Sequence, residues 1–140
     1  MKIAHTIFLT IIYALVVFSV GIYAQGSSNV HKKDIVQRAF KVFPPSLESQ
    51  YPGIVESTIY NVILLKKYYP TENYSLFVNK LNDIAEESND PALRYKAHLA
   101  SIYLNFSERF DIEPKQQVYD REYLFKQISD QLGNSLAASK

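Results

Sequence analysis

The sequence contains no cysteine, no tryptophan and only four glycines in 140 residues. Without cysteine the chain has no disulfide, no thiolate metal ligand and no thiol nucleophile. The scarcity of glycine argues against a glycine-rich phosphate loop, and the EF-hand, His-Glu-x-x-His and Gly-x-Ser-x-Gly patterns are missing. We therefore expect no cofactor, no metal ion and no catalytic activity. An enzyme or ligand-binding protein without a recognisable motif is the alternative.

A large excess of charge of either sign is also missing, since the formal net charge is +1. Lys2 is the only Lys, Arg, Asp or Glu among residues 1–24, so the remaining chain is close to neutral. A neutral domain lacks the basic surface that nucleic-acid binding requires. We therefore expect no nucleic-acid partner.

The first 24 residues have the layout of a secretory signal peptide. A short basic start at Met1-Lys2 precedes a stretch from Ile7 to Val20 without a charged residue, and the small Ala24 precedes the polar linker 25–29. This pattern predicts cleavage after Ala24 and an exported protein, periplasmic or secreted. The alternative is an uncleaved leader that tethers the domain, because about 20 apolar residues can span a bilayer. In either case, contact with a membrane would occur only through this leader.

Residues 30–134 are predicted to form a single helical domain, followed by a flexible tail at 135–140. Apolar residues recur at helical spacing in five segments, and no segment alternates with a period of two. We predict an all-α fold of about five helices in antiparallel pairs, with the broadly apolar second helix at the centre. The first predicted helix ends near Phe43 at Pro44-Pro45, and the second runs from Pro52 to about Tyr68. The third begins near Thr71 to Asn73 and ends at Glu86-Glu87-Ser88. The fourth runs from Pro91 to a point before Pro114, and the fifth covers about 117 to 132, ended by Gly133-Asn134.

Asn89-Asp90-Pro91 is the clearest local signal. Asp90 is a strong N-cap candidate because its carboxylate can accept hydrogen bonds from free amides of the first helical turn. Pro91 suits the first helical position, where no amide partner is needed. Pro52 begins another predicted helix 39 residues earlier, and helical pairs at a period near 40 residues are typical of α-solenoids.

One eight-residue segment resembles the opening of HEAT-like helical repeats, which reads Asp-Pro-x-aliphatic-Arg-x-x-Ala. In this chain the segment is Asp90-Pro91-Ala92-Leu93-Arg94-Tyr95-Lys96-Ala97. The unit at Pro52 has Tyr51 and Val55 where the pattern has Asp and Arg, so it matches by periodicity alone. The resemblance implies a short α-solenoid in which Asp90 caps a helix and Arg94 ties neighbouring turns. An irregular helical bundle is the alternative fold.

Tyrosines near the ends of the second and third predicted helices are the candidate recognition residues. Tyr68, Tyr69 and Tyr74 lie close together in the sequence, and Tyr is favoured in the cores of protein interfaces. They could form a patch for an unknown protein partner or a second copy of the chain. Equally, they could close the apolar end of one helix pair.

The remaining titratable residues form no recognisable site. His31 is predicted to be solvated at a helix start, and His98 to be packed or at an edge within the fourth helix. Asp83 and Glu87 lie four residues apart on one helical face, where such a pair is usually solvated. We therefore assign no catalytic or metal-ligating residue.

Overall fold

The computed structural model describes residues 32–113 and 121–138. The proposed leader, the linker and His31 lie outside these ranges. The chain divides after Arg38 into two compact units. Within the first, the described residues 32–38 are helical, and Arg38 forms an exposed ion pair with Asp34 one turn earlier, at 2.9 Å.

The predicted all-α fold is confirmed. The described ranges contain five α-helices and one short 3-10 helix, and no strand. None of these helices is long and apolar enough to cross a membrane. The helices are α1 at 32–47, α2 at Pro52–Tyr68, α3 at Ser75–Glu87, α4 at Pro91–Asn105 and α5 at Arg121–Ala138, with the 3-10 helix at Ser107–Arg109.

The prediction that Pro44-Pro45 ends the first helix is wrong, because α1 continues to residue 47. Proline lacks the amide that would bond to the carbonyl four residues earlier, so Pro44 and Pro45 leave the carbonyls of residues 40 and 41 without their usual donors. Immediately after the two prolines, the Ser46 hydroxyl donates to the Val42 carbonyl at 2.9 Å and supports the last turn. Leu47 is then buried in the core, which favours one further helical turn.

α2 has the predicted boundaries, from Pro52 to Tyr68. Two lysines in its last turn suit the negative end of the helix dipole. Lys66 Nζ donates to the Pro70 carbonyl at 3.0 Å, and Lys67 Nζ donates to the Ile112 carbonyl. The helix end is thereby tied to the loop that follows α4.

α4 connects the helices α2, α3 and α5, and α2 contributes the fully buried Ile59, Val62 and Ile63 to the same core. Among α2 to α5, the extensive contacts in the described chain all involve α4, which packs on α3, α2 and α5. Its small residues Ala97 and Ala100 are fully buried, which allows close approach of its neighbours. α3 and α4 form an antiparallel pair across the short turn 88–90.

α5 extends past the predicted terminator Gly133-Asn134 and ends at Ala138. Gly133 lowers helix stability by about 1 kcal/mol relative to Ala, which is too little to stop a helix whose Leu124, Phe125 and Ile128 are anchored in the core. Residues 135–138 of the expected tail are therefore the end of α5.

Two glutamines of α5 form hydrogen bonds with the backbone of the segment 111–113. Gln131 accepts from the Asp111 amide at 2.9 Å and donates to the Asp111 carbonyl at 2.7 Å. Gln127 accepts from the Glu113 amide at 3.0 Å and donates to the Glu113 carbonyl at 3.1 Å. This pairing fixes the loop against α5 and buries Ile112.

Candidate functional site

A cleft of about 410 Å³ opens where two inter-helix turns meet. One turn, 48–51, joins α1 to α2, and the other, 88–90, joins α3 to α4. The C-terminal ends of α1 and α3 and the first turns of α2 and α4 therefore contribute to its walls. The volume lies within the range of ordinary ligand sites.

Apolar side chains contributed by all four helices line part of the cleft. They continue directly into the hydrophobic core, where Leu47, Val55 and Leu93 are buried and Ile84 is half-buried. The apolar lining residues are Leu47, Pro52, Val55, Ile84 and Leu93. Such a surface favours an apolar group in the cleft, because burying it removes that group from water.

Four carboxylates and one ammonium group line the same cleft, so its charge is predominantly negative. Lys80 forms an ion pair with Glu48, which joins α3 to the end of α1. Asp90 Oδ1 accepts from the Ala92 amide at 2.8 Å and the Leu93 amide at 3.3 Å. The other two carboxylates, on Asp83 and Glu87, are exposed.

The structural roles predicted for Asp90 and Pro91 are matched by the geometry. Asp90 is the N-cap of α4, and Pro91 occupies its first turn. Arg94 Nη1 donates to the Ser88 carbonyl at 2.8 Å, immediately after α3. Arg94 therefore links α4 to the end of α3, so these residues set the position of one wall of the cleft.

The candidate tyrosines lie elsewhere and do not form one exposed patch. Tyr68 is 62% exposed and Tyr69 is half-buried, whereas Tyr74 is only 5% exposed. Of the two roles considered for Tyr74, its burial does not fit an exposed recognition patch. Its ring packs against Phe40 and Phe77, at centroid distances of 5.7 and 6.1 Å.

The Tyr74 hydroxyl completes the turn between α2 and α3. It donates to the Tyr69 carbonyl at 2.9 Å. Burial, followed by the nearby Glu72, Tyr103 and Tyr69, raises the pKa of the Tyr74 hydroxyl well above its ordinary value. Tyr74 thus closes the apolar end of the helices, which was the second of the two roles considered for these tyrosines.

A buried lysine joins three helices outside the cleft. Lys96 of α4 forms ion pairs with Glu56 of α2, at 2.8 Å, and with Glu122 of α5. Its ammonium group also lies 5.4 Å from the Phe125 ring centroid. Burial lowers the pKa of Lys96, but the hydrogen bonds to Glu122 and Glu56 outweigh this and raise it. A lysine held in its charged form is a poor nucleophile, so this cluster suits a structural role.

The cleft has the composition of a binding surface. Its lining contains carboxylates and apolar groups but no histidine, and His98 is exposed elsewhere on α4. Within 32–113 and 121–138, no three His, Asp or Glu side chains come together in a group that could hold a metal ion.

The comparisons with known proteins return no match to a family model, to a curated protein or to a solved structure. The cleft residues were only partly visible in the sequence. Asp83 and Glu87 stood out as a helical pair, but nothing local indicated that α3 would bring them beside Leu47 and Val55. That neighbourhood depends on how α1, α2 and α3 pack.

Proposed function

We propose that this protein is an exported helical module that binds another protein through the cleft between the turns 48–51 and 88–90. The supporting observation is a concave surface with an apolar floor and an acidic rim. Its walls come from helices anchored in the core and from a turn tied by Asp90 and Arg94, so the cleft is held by the fold itself. Preorganised surfaces bind at lower entropic cost.

Site-specific photo-crosslinking tests this proposal. A crosslinking amino acid replaces Gln50, which is exposed and lines the cleft, and a control replaces Lys126, which is exposed on α5. In cells that naturally produce the full chain, we expect a discrete protein adduct from position 50 only. Adducts from position 126 alone, or from neither position, would contradict a binding role for the cleft.

Tyr68 is the remaining candidate of the tyrosine group for partner contact, since its ring is exposed at the end of α2. It would supply a second contact region, separate from the cleft. Crosslinking from position 68 compared with position 50 distinguishes the two surfaces.

Export rests on the signal-peptide pattern of residues 1–24, and we propose a periplasmic or secreted location. The intact mass and N-terminal sequence of the protein produced from the full chain test this. A product beginning at Gln25 outside the cytoplasm is expected. A membrane-bound product beginning at Met1 would support the tethered alternative instead.

The HEAT-like arrangement is likewise a proposal. It is supported by the capping role of Asp90 and by the bond from Arg94 to Ser88, which agree with the roles the resemblance implies. The five helices in the described ranges supply few repeat units, and stacked repeats bury their faces on neighbours. α1 and α5 would therefore act as caps, or a second copy would cover them.

A further inference from the structure

Two carboxylates at the rim of the cleft have no partner in the described part of the chain. Asp83 and Glu87 lie one turn apart on α3 and are exposed, and neither forms an ion pair or a side-chain hydrogen bond within 32–113 or 121–138. The other two carboxylates of the cleft are already used, Glu48 by Lys80 and Asp90 by the first turn of α4. Two negative charges are therefore available to a ligand.

The position of these charges is unfavourable for the isolated protein. Glu87 is the last residue of α3, and the last turn of that helix contains no basic residue. Negative charge is disfavoured at a helix C-terminus, and like charges four residues apart repel each other. Arg94 donates to the neighbouring Ser88 carbonyl but forms no ion pair with Glu87. A cationic group placed beside Glu87 and Asp83 would relieve both effects.

The positive ends of the two neighbouring helices differ in how they affect this field. The first turn of α4 is neutralised by the Asp90 carboxylate. The first turn of α2 has no side-chain cap and no acidic residue, so its partial positive charge offsets part of the negative charge, but the four carboxylates still outnumber the single ammonium group of the cleft. The cleft therefore favours a cation, whereas its apolar floor favours an aliphatic group.

We propose that the cleft binds a protein segment in which an aliphatic side chain is flanked by lysine or arginine. The aliphatic group packs on Val55, Ile84 and Leu93, and the flanking cations pair with Asp83 and Glu87. Charge complementarity and the apolar floor together select this occupant over an acidic segment or an anionic lipid surface. This inference rests on the proposed function, since it names the chemistry of the partner of the same cleft.

The test uses fluorescence anisotropy with the protein purified from expression of the full chain. Three short labelled peptides share one scaffold and differ at the centre, which is Lys-Leu-Lys, Glu-Leu-Glu or Lys-Ser-Lys. Only the first is expected to bind, and its affinity should fall as salt rises because exposed ion pairs are screened. If the Glu-Leu-Glu peptide binds equally well, the requirement for positive charge is overturned. If the Lys-Ser-Lys peptide binds equally well, the requirement for an aliphatic side chain is overturned.

A charge-removal variant and a matched control locate the effect. Asp83→Asn combined with Glu87→Gln should weaken binding of the Lys-Leu-Lys peptide roughly 5-fold, as expected for the loss of two exposed pairs. Glu86→Gln removes a neighbouring charge of α3 that does not line the cleft and should leave the affinity unchanged. Equal effects of the two variants would overturn the proposal.

Thermal unfolding separates a binding role from a structural one. Because Asp83 and Glu87 repel each other, the double variant should melt at the same temperature as the original protein or above it. A clearly lower melting temperature would show that the carboxylates stabilise the fold, which contradicts the proposal.

Spermidine serves as a further probe, because it carries positive charge without an aliphatic side chain or a peptide backbone. If spermidine displaces the labelled Lys-Leu-Lys peptide as effectively as the unlabelled peptide does, the cleft is a site for small cations and the proposal is overturned.

The peptide-binding and crosslinking experiments together distinguish failure of the basic-segment inference from failure of the proposed function. If none of the peptides binds while a crosslinker at position 50 still captures a partner, the basic-segment inference is wrong and protein binding by the cleft stands. If crosslinking at position 50 also fails, both are wrong.

Discussion

At the scale of single residues, the side chains that complete the helix ends also shape the walls of the cleft. The Asp90 carboxylate accepts hydrogen bonds from two amides of α4, and the Arg94 guanidinium donates a hydrogen bond to the Ser88 carbonyl. The capping role of Asp90 could be predicted from sequence because a cap depends on neighbours within a few residues. The burial of Tyr74 could not, because it depends on Phe40, which lies 34 positions earlier in the chain.

Replacing Asp90 by Ala should lower the free energy of unfolding by about 0.5–2 kcal/mol, the usual effect of losing an N-cap. Asp90→Asn should retain most of the stability, since its side-chain oxygen can still accept from the Ala92 amide. Urea unfolding followed by circular dichroism measures both. Equal stability of Asp90→Ala and the original protein would refute the capping role.

Replacing Tyr74 by Phe should cost about 1 kcal/mol, because it removes the hydrogen bond to the Tyr69 carbonyl and keeps the ring. Tyr68→Ala, at an exposed position, should change stability by no more than about 0.5 kcal/mol. Chemical unfolding of the two variants provides the comparison, and a larger loss from Tyr68→Ala would contradict the assignment of Tyr74 to the core.

The raised pKa of Tyr74 also predicts a dependence on pH. A hydroxyl with a raised pKa in the folded state contributes fully below the unfolded-state pKa of about 10, and that contribution is lost as the pH rises through the folded-state pKa. Stability should therefore decline in alkaline solution, and Tyr74→Phe should decline less steeply. Parallel curves for the two proteins would contradict this account.

At the scale of secondary structure elements, α4 organises the fold by contacting α3, α2 and α5. Local patterns predicted the limits of α2 because Pro52 and Pro70 bracket it. They misplaced the ends of α1 and α5, where burial of Leu47 and the anchoring of α5 outweigh the local preferences of proline and glycine. The contacts of α4 with three other helices depend on tertiary packing around the small, fully buried Ala97 and Ala100, which local patterns do not record.

Lys96 forms ion pairs with both α2 and α5, and its replacement should loosen these two helices together. Lys96→Met keeps an apolar stem beside Phe125 and should cost about 1 kcal/mol, because Glu122 is largely exposed and is readily solvated when its partner is lost. Lys96→Ala should cost more, since the packing of the stem is lost as well. Chemical unfolding of both variants tests this order, and an equal or reversed order would contradict it.

The pH dependence of the Lys96 contribution follows from its raised pKa. The ion pairs contribute fully below the unfolded-state pKa of about 10.4 and are lost as the pH rises through the higher folded-state pKa. The difference in stability between the original protein and Lys96→Met should therefore be constant at neutral pH and shrink in strongly alkaline solution. A difference that persists there would contradict a role for the charge.

At the scale of the whole molecule, the described residues from Ala39 onward share an apolar core, and the chain has no cysteine to reinforce it with a disulfide. The all-α class could be predicted from helical periodicity, because the apolar residues that each helix buries recur every three to four positions in the sequence. The cleft did not follow from periodicity, because it forms where the ends of four helices meet. Its acidic rim is a property of this assembly, in a chain whose overall charge is close to neutral.

Amide chemical-shift mapping of the isotope-labelled protein with the Lys-Leu-Lys peptide tests the central claim most directly. The account predicts that shifts change saturably at residues of the cleft, with the largest changes near Asp83, Glu87 and Val55, and that Tyr68 and α5 are little affected. Changes centred on Tyr68 or on α5, or no change at saturating peptide, would contradict the assignment of the cleft as the binding site.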